Sequence, residues 1–324
     1  MRRLLVTGGA GFIGSHFVEH WLHRRLAERV VVLDALTYAG SPANLQAVAG
    51  HSAFRFVHGD ICDQARVEAL LREECLDGIV NFAAETHVDR SISDPTAFTR
   101  TNIDGVCSLL DAARHVWLAG GIAHRFHQIS TDEVFGPRAQ GAPLRDESAP
   151  YAPGSPYAAS KAAADLLVLA WANTYGMQVS ISYSSNVYGP RQFPEKLLPV
   201  AIRCLRAGEP VPLYGDGLQR RAWLYVRDFC LAMEAFFAHL TEGRRLCIGA
   251  AGEITNIELV RELGSVAGAT GESVRFVADR PGHDRGYGLG AAAFESLTGF
   301  RAPTSLQRGL QETLDWYARQ DTRG

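Results

Sequence analysis

Two short stretches of this chain carry side chains that could perform acid–base and redox chemistry. In the first, Tyr157 and Lys161 are four residues apart, a spacing at which a helix places both side chains on one face, one turn from each other. An ammonium close to a phenol favours the phenolate, so Tyr157 could act as a base near neutral pH. The pair therefore indicates an enzyme that removes a proton while it oxidises a substrate.

The second stretch, residues 130–136, places a hydroxyl and two carboxylates on consecutive positions. Thr131, Asp132 and Glu133 come at the end of an apolar segment, residues 125–130. Adjacent carboxylates in one cleft can be held at different pKa values, so that one serves as an acid and the other as a base. The alternative is that they only start a turn and cap a helix. Combined with the tyrosine–lysine pair, the carboxylates predict an enzyme that oxidises and then eliminates.

Lysine occupies only two of the 32 basic positions, Lys161 and Lys196, and the rest are arginine. A composition this biased would be expected to replace any lysine whose only task is surface charge. The two that remain indicate places where a compact ammonium cannot be exchanged for a planar guanidinium.

Size and composition exclude several classes of protein. The 324 residues allow one large α/β unit with a smaller lobe, and 47% apolar with 21% charged residues is ordinary for a globular protein. A net charge of −3 gives no reason to expect nucleic acid or an anionic membrane as a partner. The six scattered cysteines suit a reducing cytosol and lack metal-site spacing. With no signal peptide and no membrane-spanning run recognised, we predict a soluble cytoplasmic protein without a metal site.

The first two hundred residues alternate between short apolar strands and helices, which predicts a Rossmann-type, doubly wound parallel sheet. The predicted strands are 4–7, 30–33, 54–57, 79–82, 125–130 and 179–184. The predicted helices are 13–25, 64–73, 95–117 and 156–175. Beyond about residue 189, helices at 196–206, 227–239, 256–266 and 305–318 alternate with short strand candidates. We interpret this part as a smaller lobe that closes over the carboxyl edge of the sheet, although some of its strands could extend the main sheet.

A glycine-rich turn follows the first strand and opens the first helix. Glycines at 8, 11 and 14 would allow a tight turn, close approach of a pyrophosphate, and packing of helix on strand. Asp34 ends the second strand about twenty residues on, where a carboxylate bonds a ribose 2′-hydroxyl and repels a 2′-phosphate. This predicts NAD rather than NADP. Asp60 and Ile61 follow the third strand, where Asp60 could hold the adenine edge or be an ordinary turn residue.

With these motifs the chain resembles the extended short-chain dehydrogenase/reductases that act on nucleotide sugars, and within them the dTDP-glucose 4,6-dehydratases. The matching segments are 8–16, 34–40, 83–91, 101–103, 130–136, 155–161, 185–190, 193–197, 223–226 and 280–284. The Thr131-Asp132-Glu133 triplet discriminates most, because epimerases of the same group keep the tyrosine and lysine but usually lack the carboxylate pair.

The resemblance implies a hydro-lyase with a role for each reactive side chain. Tyr157 would take the proton of the sugar 4-hydroxyl while hydride passes from C4 to NAD⁺, and Lys161 would hold the nicotinamide ribose. Glu133 would then remove the C5 proton while Asp132 protonates the departing 6-hydroxyl. Thr131 would hydrogen-bond the 4-oxygen. Return of hydride to C6 and of a proton to C5 would regenerate NAD with no net redox change.

The resemblance also implies the surroundings of both ligands. The cofactor would be held by Gly8, Gly11, Phe12, Ile13, Gly14, Asp34, Asp60, Ile61, Ala83, Ala84, Asn102, Tyr157 and Lys161. The nucleotide sugar would be held by His87, Asn186, Lys196, Tyr214, Arg221, Asn256, Arg280 and His283. Residues 1–188 would form the NAD-binding domain that carries the catalytic residues, and residues 189–324 the lobe that mainly binds the nucleotide sugar. A homodimer is expected, with the helices 95–117 and 156–175 paired across a two-fold axis.

Four departures from the family pattern lie in the substrate-binding half. Val187 replaces an asparagine, Ala222 an aspartate, Gly286 an arginine and Gly290 an aspartate. They leave another hexose, or UDP in place of dTDP, open as alternatives. A 4-epimerase is disfavoured because both carboxylates are present. A catalytically idle NAD-binding protein is disfavoured because the tyrosine and the lysine are both kept.

Overall fold

The computed structural model describes residues 1–240, 245–250, 252–269 and 274–321. Its strands are β1 (Arg3–Thr7), β2 (Arg29–Asp34), β3 (Phe54–His58), β4 (Gly78–Asn81), β5 (Arg125–Thr131), β6 (Val179–Ser184), β7 (Asn186–Tyr188), β8 (Val211–Tyr214), β9 (Arg220–Arg221), β10 (Trp223–Tyr225), β11 (Arg245–Ile248), β12 (Ile254–Thr255) and β13 (Val274–Val277). Its helices are α1 (Phe12–His23), α2 (Gln64–Glu73), α3 (Val88–Ser93), α4 (Pro95–Thr99), α5 (Gly105–Ala113), α6 (Pro156–Tyr175), α7 (Leu197–Ala207), α8 (Val226–Ala238), α9 (Asn256–Val266), α10 (Ala292–Thr298) and α11 (Leu306–Asp321).

The main sheet has seven strands in the order β11-β6-β5-β4-β1-β2-β3. The ladders from β3 through β2, β1 and β4 to β5 are all parallel. Consecutive residues of β2, from Val30 to Leu33, are completely buried, so both faces of the sheet are covered. The predicted doubly wound parallel sheet is confirmed, and β11 shows that a late strand does extend it.

The helix that carries the tyrosine–lysine pair has the bounds predicted from the sequence. Ser155 caps α6 by accepting a hydrogen bond from the Ala158 backbone, Pro156 occupies the first turn, and Gly176 ends the helix in the left-handed conformation. The predicted helix 95–117 is a succession of α4, a π-helical segment Arg100–Asp104, α5 and a second π-helical segment that ends at Leu118. The sequence analysis missed the short helices α3 and α10 and the 3₁₀ helix Pro42–Val48.

The chain divides into two compact units, but not at the predicted boundary after residue 188. The first unit comprises Met1–Val134, Ser155–Tyr183 and Leu240–Leu246, and the second comprises Phe135–Gly154, Ser184–His239 and Cys247–Gly324. The prediction of two contiguous domains was wrong because each unit takes structure from a distant part of the chain. An edge strand of the main sheet comes from beyond residue 240, and the second unit includes the segment after β5.

The second unit is built from helices and three two-stranded sheets. β7 pairs with β10 and β8 with β13 in parallel, and β9 pairs with β12 antiparallel. Phe229, Phe236, Phe294 and Leu310 are fully buried and form part of its core. The unit therefore has an apolar interior of its own.

Candidate active site

The glycine-rich turn lies at the carboxyl end of β1, a central strand of the sheet. Gly8 has a φ of +65°, and a Cβ there would come within 2.6 Å of the Ala83 backbone nitrogen. Glycine is therefore required where the loops after β1 and β4 approach each other. α1 begins directly after Gly11, so its free N–H groups face the end of the turn. This arrangement fits a dinucleotide pyrophosphate.

Asp34 occupies the end of β2, as the sequence predicts, and is buried. One carboxylate oxygen accepts a hydrogen bond from the Ala10 backbone at 2.8 Å, and the other accepts one from the Leu36 backbone at 2.8 Å. The carboxylate thus holds the glycine-rich turn against the loop that follows β2. Each oxygen keeps a lone pair that a ribose hydroxyl could use.

The loop after β4 is fixed to α6 by Asn102. The Asn102 amide oxygen accepts a hydrogen bond from the Glu85 backbone (2.9 Å), and its nitrogen donates to the Glu85 carbonyl (3.1 Å) and to Ser160 Oγ (2.8 Å). Ser160 in turn donates to the carbonyl of Tyr157 at 2.7 Å. Both amide atoms of this predicted cofactor residue are engaged by protein groups, so Asn102 positions the loop that contains Ala83 and Ala84.

Asp60 lies in a turn after β3. It accepts a hydrogen bond from the Cys62 backbone at 2.9 Å and pairs with Arg100 at 3.4 Å. Neighbouring Ile61 is buried, and a Cβ on Gly105 of α5 would meet its side chain at 2.5 Å. These contacts place Asp60 in the turn and Ile61 against α5, and both stay predicted cofactor residues.

Side chains that could catalyse proton transfer meet at the end of β5. Thr131 is its last residue, and a short 3₁₀ helix, Asp132–Phe135, follows. Thr131 Oγ1 lies 3.2 Å from Asp132 Oδ1 and accepts a hydrogen bond from the Glu133 backbone at 3.3 Å. Thr131 also hydrogen-bonds the Tyr157 hydroxyl, and both carboxylates act electrostatically on that phenol. The structure therefore brings together the triplet and the tyrosine, as predicted.

The electrostatic environment of Tyr157 differs from the prediction made from its lysine neighbour. Burial, followed by the negative charges of Glu133 and Asp132, raises the pKa of Tyr157 well above its ordinary value, and the hydrogen bond with Thr131 opposes this only in part. In the chain without bound ligands, the phenol of Tyr157 is therefore protonated at neutral pH. The spacing of tyrosine and lysine does not suffice to make the phenol a base, because burial outweighs it.

Lys161 lies on the same helix and is 5% exposed. Its ammonium donates a hydrogen bond to the Ile129 carbonyl of β5 at 2.7 Å. Burial lowers the pKa of Lys161, and the negative charge of Asp165 opposes the change. The lysine thus joins α6 to β5, the strand that ends at the triplet.

In the second unit, several predicted substrate residues form one positive group. Burial lowers the pKa of His283, and the charges of Arg280 and Arg221 lower it further, while Asp279 raises it through a 2.6 Å contact with the ring nitrogen Nδ1. The ring of His283 lies edge-on to that of Tyr214, with their centroids 6.0 Å apart. Two guanidinium groups beside an exposed aromatic ring are suited to a nucleoside diphosphate.

Arg221 is buried and fixed by its own unit. It donates hydrogen bonds to the carbonyls of Arg220 (2.7 Å) and Asp284 (3.0 Å) and lies 4.4 Å from the ring centroid of Tyr287. Tyr287 in turn donates a hydrogen bond to the Asp284 carboxylate. The sequence analysis did not assign Tyr287, although its place just after segment 280–284, which matches the family pattern, was a possible signal.

Asn186 lies on the β7–β10 ladder, which contains one departure from the family pattern, Val187, and is flanked by another, Ala222. Its backbone nitrogen donates to the carbonyl of Ala222 at 3.1 Å, and Val187 is paired with Leu224. Among the described residues, none hydrogen-bonds the buried Oδ1 of Asn186 or the buried Nε1 of Trp223. This ladder therefore offers one acceptor and one donor that a ligand could satisfy.

The remaining predicted substrate residues lie at helix starts. His87 caps α3 by accepting a hydrogen bond from the Arg90 backbone at 3.4 Å. Lys196 directly precedes α7, and Asn256 is the first residue of α9, where its backbone donates to the Gln219 carbonyl at 2.9 Å.

A group of residues that the sequence analysis overlooked connects the loops after β2 and β4. The guanidinium of Arg90 lies 4.1 Å from the ring centroid of Tyr38, and the Tyr38 hydroxyl bonds to Thr86 and Glu85. In the sheet, β1, which leads into the glycine-rich turn, lies between β2 and β4. We call Tyr38, Glu85, Thr86 and Arg90 the strap.

Comparison with known proteins agrees with this geometry. The profile of the family described as GDP-mannose 4,6 dehydratase matches residues 5–313. A dTDP-glucose 4,6-dehydratase of Streptomyces niveus is 46% identical over 319 residues, which cover 97% of this chain and 92% of the relative. The chain belongs to the dTDP-glucose 4,6-dehydratase family.

Solved structures place this family member among both dehydratases and epimerases. A dTDP-glucose 4,6-dehydratase from Streptomyces venezuelae, solved with NAD bound, is 45% identical with a TM-score of 0.93 and covers 99% of this chain and 98% of its own. A UDP-glucose 4-epimerase from Thermus thermophilus, also with NAD, is 31% identical with a TM-score of 0.87 and covers 98% and 99%.

No helix in the described part of the chain is long and apolar enough to cross a membrane. The cytoplasmic location and the homodimer stay predictions.

Proposed function

We propose that this chain is an NAD-dependent dTDP-glucose 4,6-dehydratase, a hydro-lyase that forms the 4-keto-6-deoxy sugar nucleotide. One observation carries the proposal. A hydroxyl and two carboxylates at the end of β5 act directly on the phenol of Tyr157, so an acid, a base and a redox base share one site. Relatives named dTDP-glucose 4,6-dehydratases support the choice of substrate.

The first unit has the features that NAD requires. The close approach at Gly8, the start of α1 and the carboxylate of Asp34 fit a pyrophosphate and an adenosine ribose that bears a free 2′-hydroxyl. When bound, NAD supplies the hydride acceptor for C4, the hydride donor for C6 and a positive charge in the site. The strap connects the loops after β2 and β4, the strands on either side of β1, which suits a cofactor that is regenerated in every turnover and has no need to leave.

In the oxidation step, Tyr157 takes the proton of the 4-hydroxyl. Burial and the two carboxylates hold the phenol protonated in the chain by itself, so positive charge in the site has to offset them. The ammonium of Lys161, which lies on the same helix as Tyr157, is one such charge. It is held in place by a hydrogen bond to the Ile129 carbonyl of β5. The Thr131 hydroxyl hydrogen-bonds the phenol of Tyr157. After the proton has been transferred, it can hydrogen-bond the 4-oxygen of the sugar.

In the elimination step, the two carboxylates divide the work. A 4-keto group acidifies the C5 proton, which Glu133 removes, while Asp132 gives a proton to the 6-hydroxyl so that it leaves as water. Asp132 is buried next to the Thr131 hydroxyl, and Glu133 is the carboxylate with the larger effect on the phenol. An epimerase, which loses no water, has no use for this pair.

Two isosteric variants test the assignment. Purified protein incubated with dTDP-glucose should form a product lighter by one water, and UDP-glucose is the comparison substrate. Glu133→Gln should oxidise C4, accumulate bound NADH and take up no solvent deuterium at C5. Asp132→Asn should also form NADH but still exchange C5 hydrogen, because the base remains. An epimerised product without water loss, or wild-type turnover in both variants, would show that the proposal is wrong.

We further propose that the second unit binds the nucleoside diphosphate. Arg221 and Arg280 supply the positive charge and Tyr214, 40% exposed, supplies an aromatic face for the base. Replacement of Arg280 by Gln should raise the KM for dTDP-glucose and leave bound NAD in place. If Arg280→Gln loses bound NAD and the KM is unchanged, Arg280 does not bind the nucleoside diphosphate.

We also propose a homodimer that forms through α6 and the helix 95–118. The solvent side of α6 carries Ala159, Leu166 and Ala170, and Leu166 is 54% exposed. These residues recur at helical spacing, so they form an apolar stripe opposite the catalytic face. Leu166→Glu should give a monomer in light scattering, whereas Leu218→Glu, a substitution at a leucine that is 51% exposed in the second unit, should leave the mass of the wild type. A monomeric wild-type protein at micromolar concentration would refute the dimer.

A further inference from the structure

The mechanism proposed above leaves one fully buried carboxyl group without a task. Asp165 of α6 has no exposed surface, and Ser130 Oγ donates a hydrogen bond to its Oδ2 at 2.6 Å. A charged group in such a place is costly unless another group compensates it. The position is therefore one at which a neutral residue would be expected if packing were the only requirement.

The place of Asp165 on the helix relates it to both redox residues. It lies one turn after Lys161 and two turns after Tyr157, on the buried side of α6. Lys161 reaches the carbonyl of Ile129, and Asp165 receives the hydroxyl of the next residue, Ser130. The two side chains of α6 thus form hydrogen bonds with the last part of β5, immediately before the catalytic triplet.

The charges of the two buried side chains depend on each other. Burial lowers the pKa of Lys161, and the negative charge of Asp165 raises it again. Burial raises the pKa of Asp165 to about 7, while Lys161, the hydroxyl of Ser130 and Arg245 of β11 lower it. Asp165 is consequently ionised in the alkaline range, where a lone buried ammonium would lose its proton most readily.

We infer that Asp165 is a positioning residue, which keeps the ammonium of Lys161 charged and, through Ser130, fixes the end of β5 that carries the catalytic triplet. Its effect on catalysis rests on the proposed function, in which Lys161 holds the cofactor and supports the phenolate of Tyr157. The electrostatic effect of Asp165 on Lys161 does not rest on that function. Both parts can therefore be tested separately.

The first test is the pH dependence of the rate at which dTDP-glucose loses water. In Asp165→Asn the loss of activity on the alkaline side should move to lower pH by about one unit or more, because the buried ammonium has lost its opposite charge. The matched control Ser130→Ala removes the hydrogen bond to Asp165 but keeps the charge of Asp165. The pH at which activity is lost on the alkaline side should therefore be the same in Ser130→Ala as in the wild type. An unchanged limit in a folded Asp165→Asn protein, or equal shifts in both variants, overturns the inference.

The second test uses stability and needs no activity. Lys161→Met leaves Asp165 buried without its cation, so the urea midpoint should fall progressively as the pH rises above about 4, where the same carboxyl ionises in the unfolded chain. Adding Asp165→Asn in this background should raise the midpoint, and by more than the same change does in the wild type, where Lys161 offsets part of the cost of the buried charge. If Asp165→Asn changes the midpoint equally in both backgrounds, the charges of the two residues do not depend on each other. This cycle decides the pairing even if the single Asp165→Asn variant does not fold or the wild type proves inactive on dTDP-glucose.

Discussion

His127, on the strand that ends at the Thr131-Asp132-Glu133 triplet, should make the protein sensitive to acid. The ring is fully buried, with Nδ1 2.8 Å from Ser180 Oγ and Nε2 3.0 Å from Ser182 Oγ on the adjacent strand β6. Burial, helped by the positive charge of Arg125, lowers the pKa of His127 to about 3 from its ordinary 6.5. Protonation of His127 therefore places a positive charge in the core, and it should destabilise β5.

The sign and the size of the effect follow from this difference in pKa. Since the folded state binds the proton less readily than the unfolded state, stability is complete above about pH 6.5 and is lost as the pH falls toward about 3. The loss amounts to about 1.4 kcal/mol for each pH unit. Between about pH 7 and about pH 5 it reaches about 2 kcal/mol, and over the whole range about 5 kcal/mol.

The perturbation is His127→Gln, which keeps hydrogen-bonding groups of similar size but cannot take up a proton. Urea unfolding should be followed at several pH values in the variant and in the wild type. The stability of the wild type relative to the variant should decline by about 2 kcal/mol between about pH 7 and about pH 5. The exposed His23→Gln is the control, and its curve should run parallel to that of the wild type. Parallel curves for His127→Gln would refute the buried neutral histidine.

Three further predictions concern the cofactor and the phenol. Tyr157→Phe should lower turnover by about 100-fold or more while NAD stays bound, because only the proton acceptor is lost; turnover close to the wild type would exclude the phenol as the base. Asp34→Ala should weaken NAD binding by about tenfold or more and reduce the preference over NADP, as measured by titration, and an unchanged affinity would count against the assignment. Arg90→Gln removes the cation from the strap, so bound NAD should dissociate up to about tenfold faster in a chase experiment. An unchanged dissociation rate would show that the strap does not hold NAD.

The sequence by itself determined much of the fold and the chemistry of the site. The bounds of β6, α2, α6 and α9 agree with the prediction because the information lies in local features, such as an apolar run or the capping residues Ser155 and Gly176. The glycine-rich turn, the catalytic triplet and the tyrosine–lysine pair are also local motifs. A motif of this kind can be read from a single chain because its members are neighbours in the sequence.

Only the tertiary structure decided how distant residues act on one another. β11 joins the main sheet from beyond residue 240, so the two units are discontinuous in the sequence. The pKa of Tyr157 was predicted from a lysine one turn away, but burial and the carboxylates at the end of β5 outweigh that neighbour. Asp165 meets Ser130 across 35 residues. Electrostatic energy depends on burial and on distances in space, and neither is contained in the spacing of residues along a chain.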